Sequence, residues 1–311
     1  MRTAFFDELL RLGELDKRIM LVVGDLGFGV VTEFVERLPQ QFLNAGVAEQ
    51  NMTGLAAGMA LSGRIAVTYS IANFPTLRCL EQIRNDVCYH NANVKIVAVG
   101  GGFTYGSLGP SHHATEDIAI MRTLPNMLVV APGDPVEARL AARAILAHPG
   151  PCYLRLGRGG EASVHLSNNL PLRLGEAIVV REGSDVTLIS TGAVLPEVVV
   201  AADRLRERGL GVRVLSMHTV KPLDVEAVRR AGRETDVVLT IEEHSVIGGL
   251  GGAVAECLME ADHRPTTFRR LGLRETFSSE VGDQTYLRTR YGLDADGIVH
   301  AVEKTLMPAV W

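Results

Sequence analysis

The chain has 311 residues, 47% of them hydrophobic and 22% charged, which excludes a disordered chain and predicts two compact domains. A formal net charge of -5 and the lack of any Lys/Arg-rich run leave nothing to neutralise a phosphate backbone, so nucleic acid is excluded as a partner. No apolar stretch is long enough to span a bilayer; the four cysteines include no CxxC pair, suggest neither a disulfide framework nor a zinc site, and read as buried thiols.

Acids are mixed with the apolar residues at the N-terminus, which argues against a signal peptide and for a cytoplasmic protein. Thr3 to Leu12 predicts a helix. Short β-branched runs follow at 19–24 (IMLVVG), 64–69 (RIAVTY), 94–100 (VKIVAVG), 127–131 (MLVVA) and 152–156 (CYLRL), and they read as buried parallel strands. Between them, Ala48 to Ser62, Pro75 to Tyr89 and Pro135 to Ala147 predict helices, the alternation that builds a doubly wound sheet. From Gly157 to Gly175 the periodicity gives way to Gly, Ser, Asn and Pro. Alternation then resumes with AIVVREG, DVTLIS, GVRVLS, DVVLTI and TTFRRL, separated by helices at Leu195 to Arg208, Asp224 to Gly232 and Gly251 to Ala261. A last helix runs from Ala295 to Leu306. The expected fold is α/β with two doubly wound domains, at 1–160 and, smaller, at 178–311, joined by a linker at 161–177.

Glu49 opens a helix rich in Ala and Gly (TGLAAGMALSG), whose small side chains suit the close approach of another helix. On pattern alone this acid does no more than complement the helix dipole. The Gly248–Gly252 run suggests a dinucleotide loop but fails the GxGxxG spacing, because Val254 stands three places after Gly251. The adjacent His112 and His113 have no spacing that completes a metal site.

Four segments occur in an order and spacing that resemble transketolases: GVAEQNM around Glu49, GSLGPSHHATEDIAIMRTLPNM at 106–127, YLRLGR at 153–158, and IEEHSVIGGLGGAVAE at 241–256. The resemblance covers essentially the whole chain and matches the C-terminal half of such enzymes, a pyrimidine-binding domain followed by a transketolase C-terminal domain. Family members also need a GDG motif for magnesium and the diphosphate. No GDG tripeptide occurs here, so the resemblance implies the C-terminal subunit of a split transketolase, with an N-terminal subunit as partner in an α2β2 heterotetramer.

The implied cofactor is thiamine diphosphate, with Mg2+ held mainly by the partner. Glu49 would bond a ring nitrogen of its aminopyrimidine, favouring the imino tautomer that deprotonates the thiazolium carbon; a carboxyl in an apolar interface suits this role because desolvation disfavours its charged form. Phe74 would line the aminopyrimidine pocket, beside Ile71 and Leu77, where the family often has aromatics; plain core packing is the alternative for Phe74. Asp25 matches an Asp near the cofactor, against a simple turn or cap role. His112, closing GPSH, would bond a donor hydroxyl, and Glu116 also matches a family acid, though a first-turn acid is an equal reading. Arg2 and Arg158 match two arginines that hold a sugar phosphate through planar donor forks. The family's Ser and His of that set fall at Gly29 and near Gly100, and the acid before GP is Leu108, so the donor or acceptor is expected to depart from pentose and hexose phosphates. Glu242, Glu243 and His244 are expected to be structural.

The implied reaction moves a two-carbon ketol unit from a ketose, expected to be phosphorylated, to an aldose. Three alternatives stand beside it: the β subunit of a 2-oxoacid dehydrogenase, a 1-deoxyxylulose-5-phosphate synthase-like enzyme, and a non-catalytic scaffold half. AEQNM and GPSH disfavour the first, the lone half disfavours the second, and Glu49 disfavours the third.

Overall fold

The computed structural model describes residues 1–27, 29–167 and 170–307. Its first half opens with α1 (Arg2–Leu15), β1 (Ile19–Val23), α2 (Thr32–Arg37), β2 (Phe42–Asn44), α3 (Glu49–Leu61) and β3 (Ile65–Ile71). There follow α4 (Leu80–Gln82), β4 (Val94–Val99), α5 (Asp117–Thr123), β5 (Leu128–Val130), α6 (Pro135–Ala147) and β6 (Cys152–Leu156). The second half contains β7 (Ile178–Arg181), β8 (Val186–Thr191), α7 (Leu195–Glu207), β9 (Val212–Ser216), β10 (Thr219–Lys221) and α8 (Val225–Glu234). It ends with β11 (Val237–Ser245), α9 (Leu250–Met259), β12 (Thr267–Leu273), α10 (Gln284–Arg290) and α11 (Ala295–Leu306).

These strands form two sheets, ordered β10-β5-β6-β4-β3-β1-β2 and β12-β11-β8-β9-β7. Every residue of β4 and all but the last of β3 are buried, as expected for parallel strands covered by helices on both faces. The one charge inside β4, Lys95, donates from Nζ to the carbonyls of His148 (2.6 Å) and Gly150 (2.5 Å), while burial pushes its pKa down. On one face, Phe5 and Leu9 of α1 pack with Ala138, Ala142 and Ile145 of α6. Each fully buried Leu or Phe contributes roughly 1.5–3 kcal/mol. α6 starts where the sequence puts it, because Asp134 accepts the N–H of Glu137 (2.8 Å) and Pro135 needs no donor there.

Three expectations need correction. Strand β7 runs antiparallel to β9, not parallel, and β10, a strand the sequence did not suggest, leaves its own half to pair antiparallel with β5 of the first sheet. The helix expected over 75–89 is shorter and wider, with turns up to Cys79, α4, and a π-helical segment at Ile83–Cys88. Cys79, Cys88 and Cys152 are buried free thiols, but Cys257 is only half-buried.

The segment between the sheets is no free tether. The backbone N–H groups of Val164 and His165 both donate to Asp134 Oδ2 at 2.9 Å, and the His165 ring meets Glu137 Oε1 at 2.8 Å. Burial alone would raise the Glu137 carboxyl, yet His165 and the neighbouring donors hold it below its ordinary value. Residues 168 and 169 lie outside the described residues. No helix among the described residues is long and apolar enough to cross a membrane.

Candidate active site

The expected site residues of the first half gather at the carboxyl ends of its parallel strands, where the connecting loops of a doubly wound sheet form a crevice. Asp25 follows β1, Glu49 follows β2, Ile71 and Phe74 end and follow β3, His112 follows β4, and Arg158 follows β6. The chain moves from β1 to β2 on one side and returns to β3 on the other, so the crevice opens where the strand order reverses.

Glu49 is the first residue of α3, yet its side chain is only 4% exposed. A Cβ placed on Gly24 would stand 3.6 Å from its Cγ, so the end of β1 lies in van der Waals contact with this side chain. Arg78 Nη1 approaches Glu49 Oε2 at 3.1 Å and also lies over the Phe74 ring, 4.4 Å from the centroid. Phe74 in turn meets His112 edge to face at 5.3 Å. Tyr105 also meets the His112 ring edge to face at 6.3 Å, and Arg158 lies 5.6 Å over the Tyr105 ring. A single run of contacts thus joins Glu49, Phe74, His112 and Arg158 through Arg78 and Tyr105. Those two linking residues are not marked in the sequence, because neither stands at a fixed spacing from the groups it connects.

The His112 loop is held from both halves of the chain. Asn73 Nδ2 donates to the carbonyls of His113 (2.6 Å) and Ser111 (3.3 Å), tying the loop to the end of β3. Ser111 Oγ lies 3.0 Å from His112 Nδ1, which leaves Nε2 for a ligand. His113 is buried, bonded through Nε2 to the Gly106 carbonyl (3.0 Å), and packed edge to face on Phe103. Phe103 sits in the core of the second half, stacked on Tyr291, and its N–H donates to Glu243 Oε1 at 2.5 Å. Glu243 is itself fixed by Arg288 (2.6 Å) and Gln284 (2.8 Å).

Beneath the loop, Asp117 Oδ2 accepts from Tyr153 (2.5 Å) and Arg155 Nε (2.8 Å), while Arg155 Nη2 donates to the carbonyls of Ala114 and Glu243. Glu242 caps α9 by accepting the N–H groups of Leu250 (2.7 Å) and Gly251 (2.8 Å), and burial pushes its carboxyl up. The N–H of Ala119 points at His244 Nε2 (3.3 Å) while Nδ1 donates to the Ser245 carbonyl (2.7 Å), the pattern of a neutral imidazole.

The remaining expected residues lie outside this run of contacts. Asp25 is exposed, adopts φ 55°, and exchanges hydrogen bonds with Asn44, lining a hollow with Leu26, Val31 and Phe42. Ile71 is half-buried against the core. Glu116 stands at the N-cap of α5 bonded to Thr115 (2.8 Å), beside a hollow lined by Ile247, Leu273 and Phe277. Arg2 opens α1, and its buried Nε has no hydrogen-bond partner.

Several large apolar side chains near this crevice are exposed. Val47 is 75% exposed, Leu61 60% and Leu77 45%. Gly54 and Gly58 on α3 have nothing within 4 Å of an added Cβ, so that helix presents an open face of small residues next to Glu49.

Comparison with known proteins places this geometry. The model of the transketolase pyrimidine-binding domain matches residues 1–160, and that of the transketolase C-terminal domain matches residues 175–298. The 6-deoxy-6-sulfo-D-fructose transketolase subunit SqwH of Clostridium sp. (strain MSTE9) is 42% identical over 98% of this chain and 94% of its own length. An apulose-4-phosphate transketolase subunit of Phocaeicola vulgatus is 39% identical over 96% of this chain and 94% of its own. A solved structure of a split-gene transketolase, an inactive beta4 tetramer, superposes with a TM-score of 0.88 at 38% identity, covering 98% of this chain and 97% of the other.

Proposed function

The chain belongs to the transketolase family, and from that premise we propose that it is the C-terminal subunit of a split, thiamine-diphosphate-dependent transketolase, acting with an N-terminal subunit. The observation that carries this reading is the buried Glu49 carboxylate at the mouth of α3, joined to Phe74 and His112 and flanked by an unpartnered apolar face. A relative of nearly the same length is inactive as a beta4 tetramer, which supports the need for a second kind of subunit. An α2β2 assembly fits two-fold association through the open face of α3.

The residues fit the aminopyrimidine half of the cofactor. Glu49 offers an acid for a ring nitrogen, Phe74 an aromatic face, and Val47 and Leu77 an apolar rim. When bound, thiamine diphosphate supplies a nucleophilic carbon and an electron sink for breaking and making a carbon–carbon bond. Glu49 would hold the proton exchanged with the ring nitrogen, its side chain being almost wholly shielded from bulk water. His112 offers Nε2 to a hydroxyl of the donor, and Asn73 with Ser111 keeps the ring in place. Arg2 and Arg158 supply positive charge for a terminal anion on the sugar, while Asp25 and Ile71 stand at the strand ends that border the crevice and Glu116 lines the separate hollow beside Ile247 and Phe277. Magnesium and the diphosphate are assigned to the partner, because the GDG tripeptide that serves them in the family does not occur here. Free thiols fit a cytoplasmic setting.

Mixing this chain with the N-terminal subunit of the same organism, with cofactor and magnesium, is expected to give ketol transfer from a ketose to an aldose without release of carbon dioxide. Turnover of 2-oxoacids alone, with carbon dioxide released, would contradict this assignment and favour the dehydrogenase or synthase chemistry.

A further inference from the structure

Between His112 and Arg158 the crevice is walled by Tyr105. Its ring occupies the space in front of Gly100, where an added Cβ would overlap both Cδ2 and Cε2. Gly100 also has φ 97°, so the position is closed to side chains twice over, and the tyrosine ring fills it from five residues further on. Arg158 covers one face of this ring and His112 meets its edge. Arg2 lies within electrostatic reach of Tyr105 and of Tyr69, whose side chain is fully buried.

The buried Tyr69 hydroxyl and the Arg2 guanidinium are neighbours that pair with each other only loosely, neither the hydroxyl nor Nε making a hydrogen bond of good geometry. Two guanidinium groups beside two phenols suit a ligand rich in acceptor oxygens and negatively charged. Resting on the transketolase reading, we propose that Tyr105 is a specificity residue: its ring contacts His112 and Arg158, and its O–H donates to the terminal tetrahedral oxyanion of the sugar substrate. Burial raises its phenol pKa and the two arginines only partly offset this, so at neutral pH the group remains a donor. Phosphate and sulfonate share the required chemistry.

The test uses the complete complex of both subunits. Inorganic phosphate and methanesulfonate are titrated by calorimetry into wild type and Tyr105→Phe, which keeps the ring and loses one donor. The wild type is expected to bind at least one of them, and the variant to bind it about tenfold or more weakly, as for a hydrogen bond to a charged group. Whichever anion binds more tightly identifies the terminal group. In ketol transfer, the ratio of kcat/KM for fructose 6-phosphate, or its 6-sulfonate analogue, to that for uncharged erythrulose is expected to fall about tenfold in the variant, through KM. Gly100→Ala keeps the phenol but displaces the ring, and the same loss of selectivity is expected. Unchanged anion binding in Tyr105→Phe, no anion binding by the wild type, or an equal loss with both donors would overturn the proposal. Tyr105-dependent anion binding in a complex that transfers no ketol unit would support the anion site and contradict the transketolase reading.

Discussion

Glu49→Gln in the assembled enzyme is expected to lower kcat for ketol transfer by about 10²–10⁴-fold, the range for losing a positioned proton-transfer group. The substitution keeps the size and planarity of the side chain, so the packing against Gly24 and the start of α3 should survive. What it removes is a proton-exchanging oxygen on a side chain only 4% exposed, and the charge that faces Arg78 at 3.1 Å. Cofactor affinity should weaken as well, because a neutral amide has no proton to exchange with the ring nitrogen and no charge to set against a protonated ring. Steady-state assays at saturating cofactor separate the two effects. Activity near wild type would remove Glu49 from the chemistry, and with it the main support for a catalytic rather than a scaffolding subunit.

Asp117→Ala is expected to destabilise the protein by about 3–5 kcal/mol, the cost of stripping a buried charge of its partner. Asp117 and Arg155 have 0% and 4% of their side chains exposed, so the guanidinium has no ready access to bulk water once the carboxylate is gone. Tyr153 loses its acceptor in the same step. Because Arg155 also holds the carbonyls of Ala114 and Glu243, the damage should pass to the His112 loop and to its anchor in the second half. Chemical denaturation should show the lower midpoint, and the complex should lose ketol transfer under conditions where the variant is still folded. Asp117→Asn, which retains an acceptor, should recover part of the stability. A variant with Ala as stable as wild type would show that Arg155 finds another partner and that the network does not anchor the loop.

Much of the fold was legible because it obeys simple periodicities. Buried parallel strands are continuous apolar runs, and 19–23, 94–99 and 152–156 stand where such runs occur. Helices α6 and α11 match the expected bounds because each has an Asp N-cap and an apolar stripe. Short elements left no such trace. Helices α2, α5 and α10 span six or seven residues, too few for a repeat to show, and β10 exists only because three residues of the second half find an edge on β5. The π-helical turn at 83–88 has the apolar spacing of an ordinary helix, so nothing in its sequence marks it.

At the site, Glu49 and His112 were singled out through motifs, and a run of contacts through Arg78 and Phe74 joins them in the fold. Arg78 and Tyr105 were missed for a physical reason: their roles come from contacts between loops 29 residues apart for Glu49–Arg78, and from a space at Gly100 that only the folded backbone defines. The glycine run at 100–102 next to an aromatic was the available signal, since glycines before a bulky ring leave room that the ring can occupy.

A cofactor site shared between two subunits is tested most directly by calorimetric titration of thiamine diphosphate with magnesium into this chain alone, into the N-terminal subunit alone, and into their mixture. Tight binding is expected only in the mixture, and Glu49→Ala should weaken it. Equally tight, magnesium-dependent binding to this chain alone, or binding in the mixture indifferent to Glu49, would contradict a cofactor site built between the two subunits.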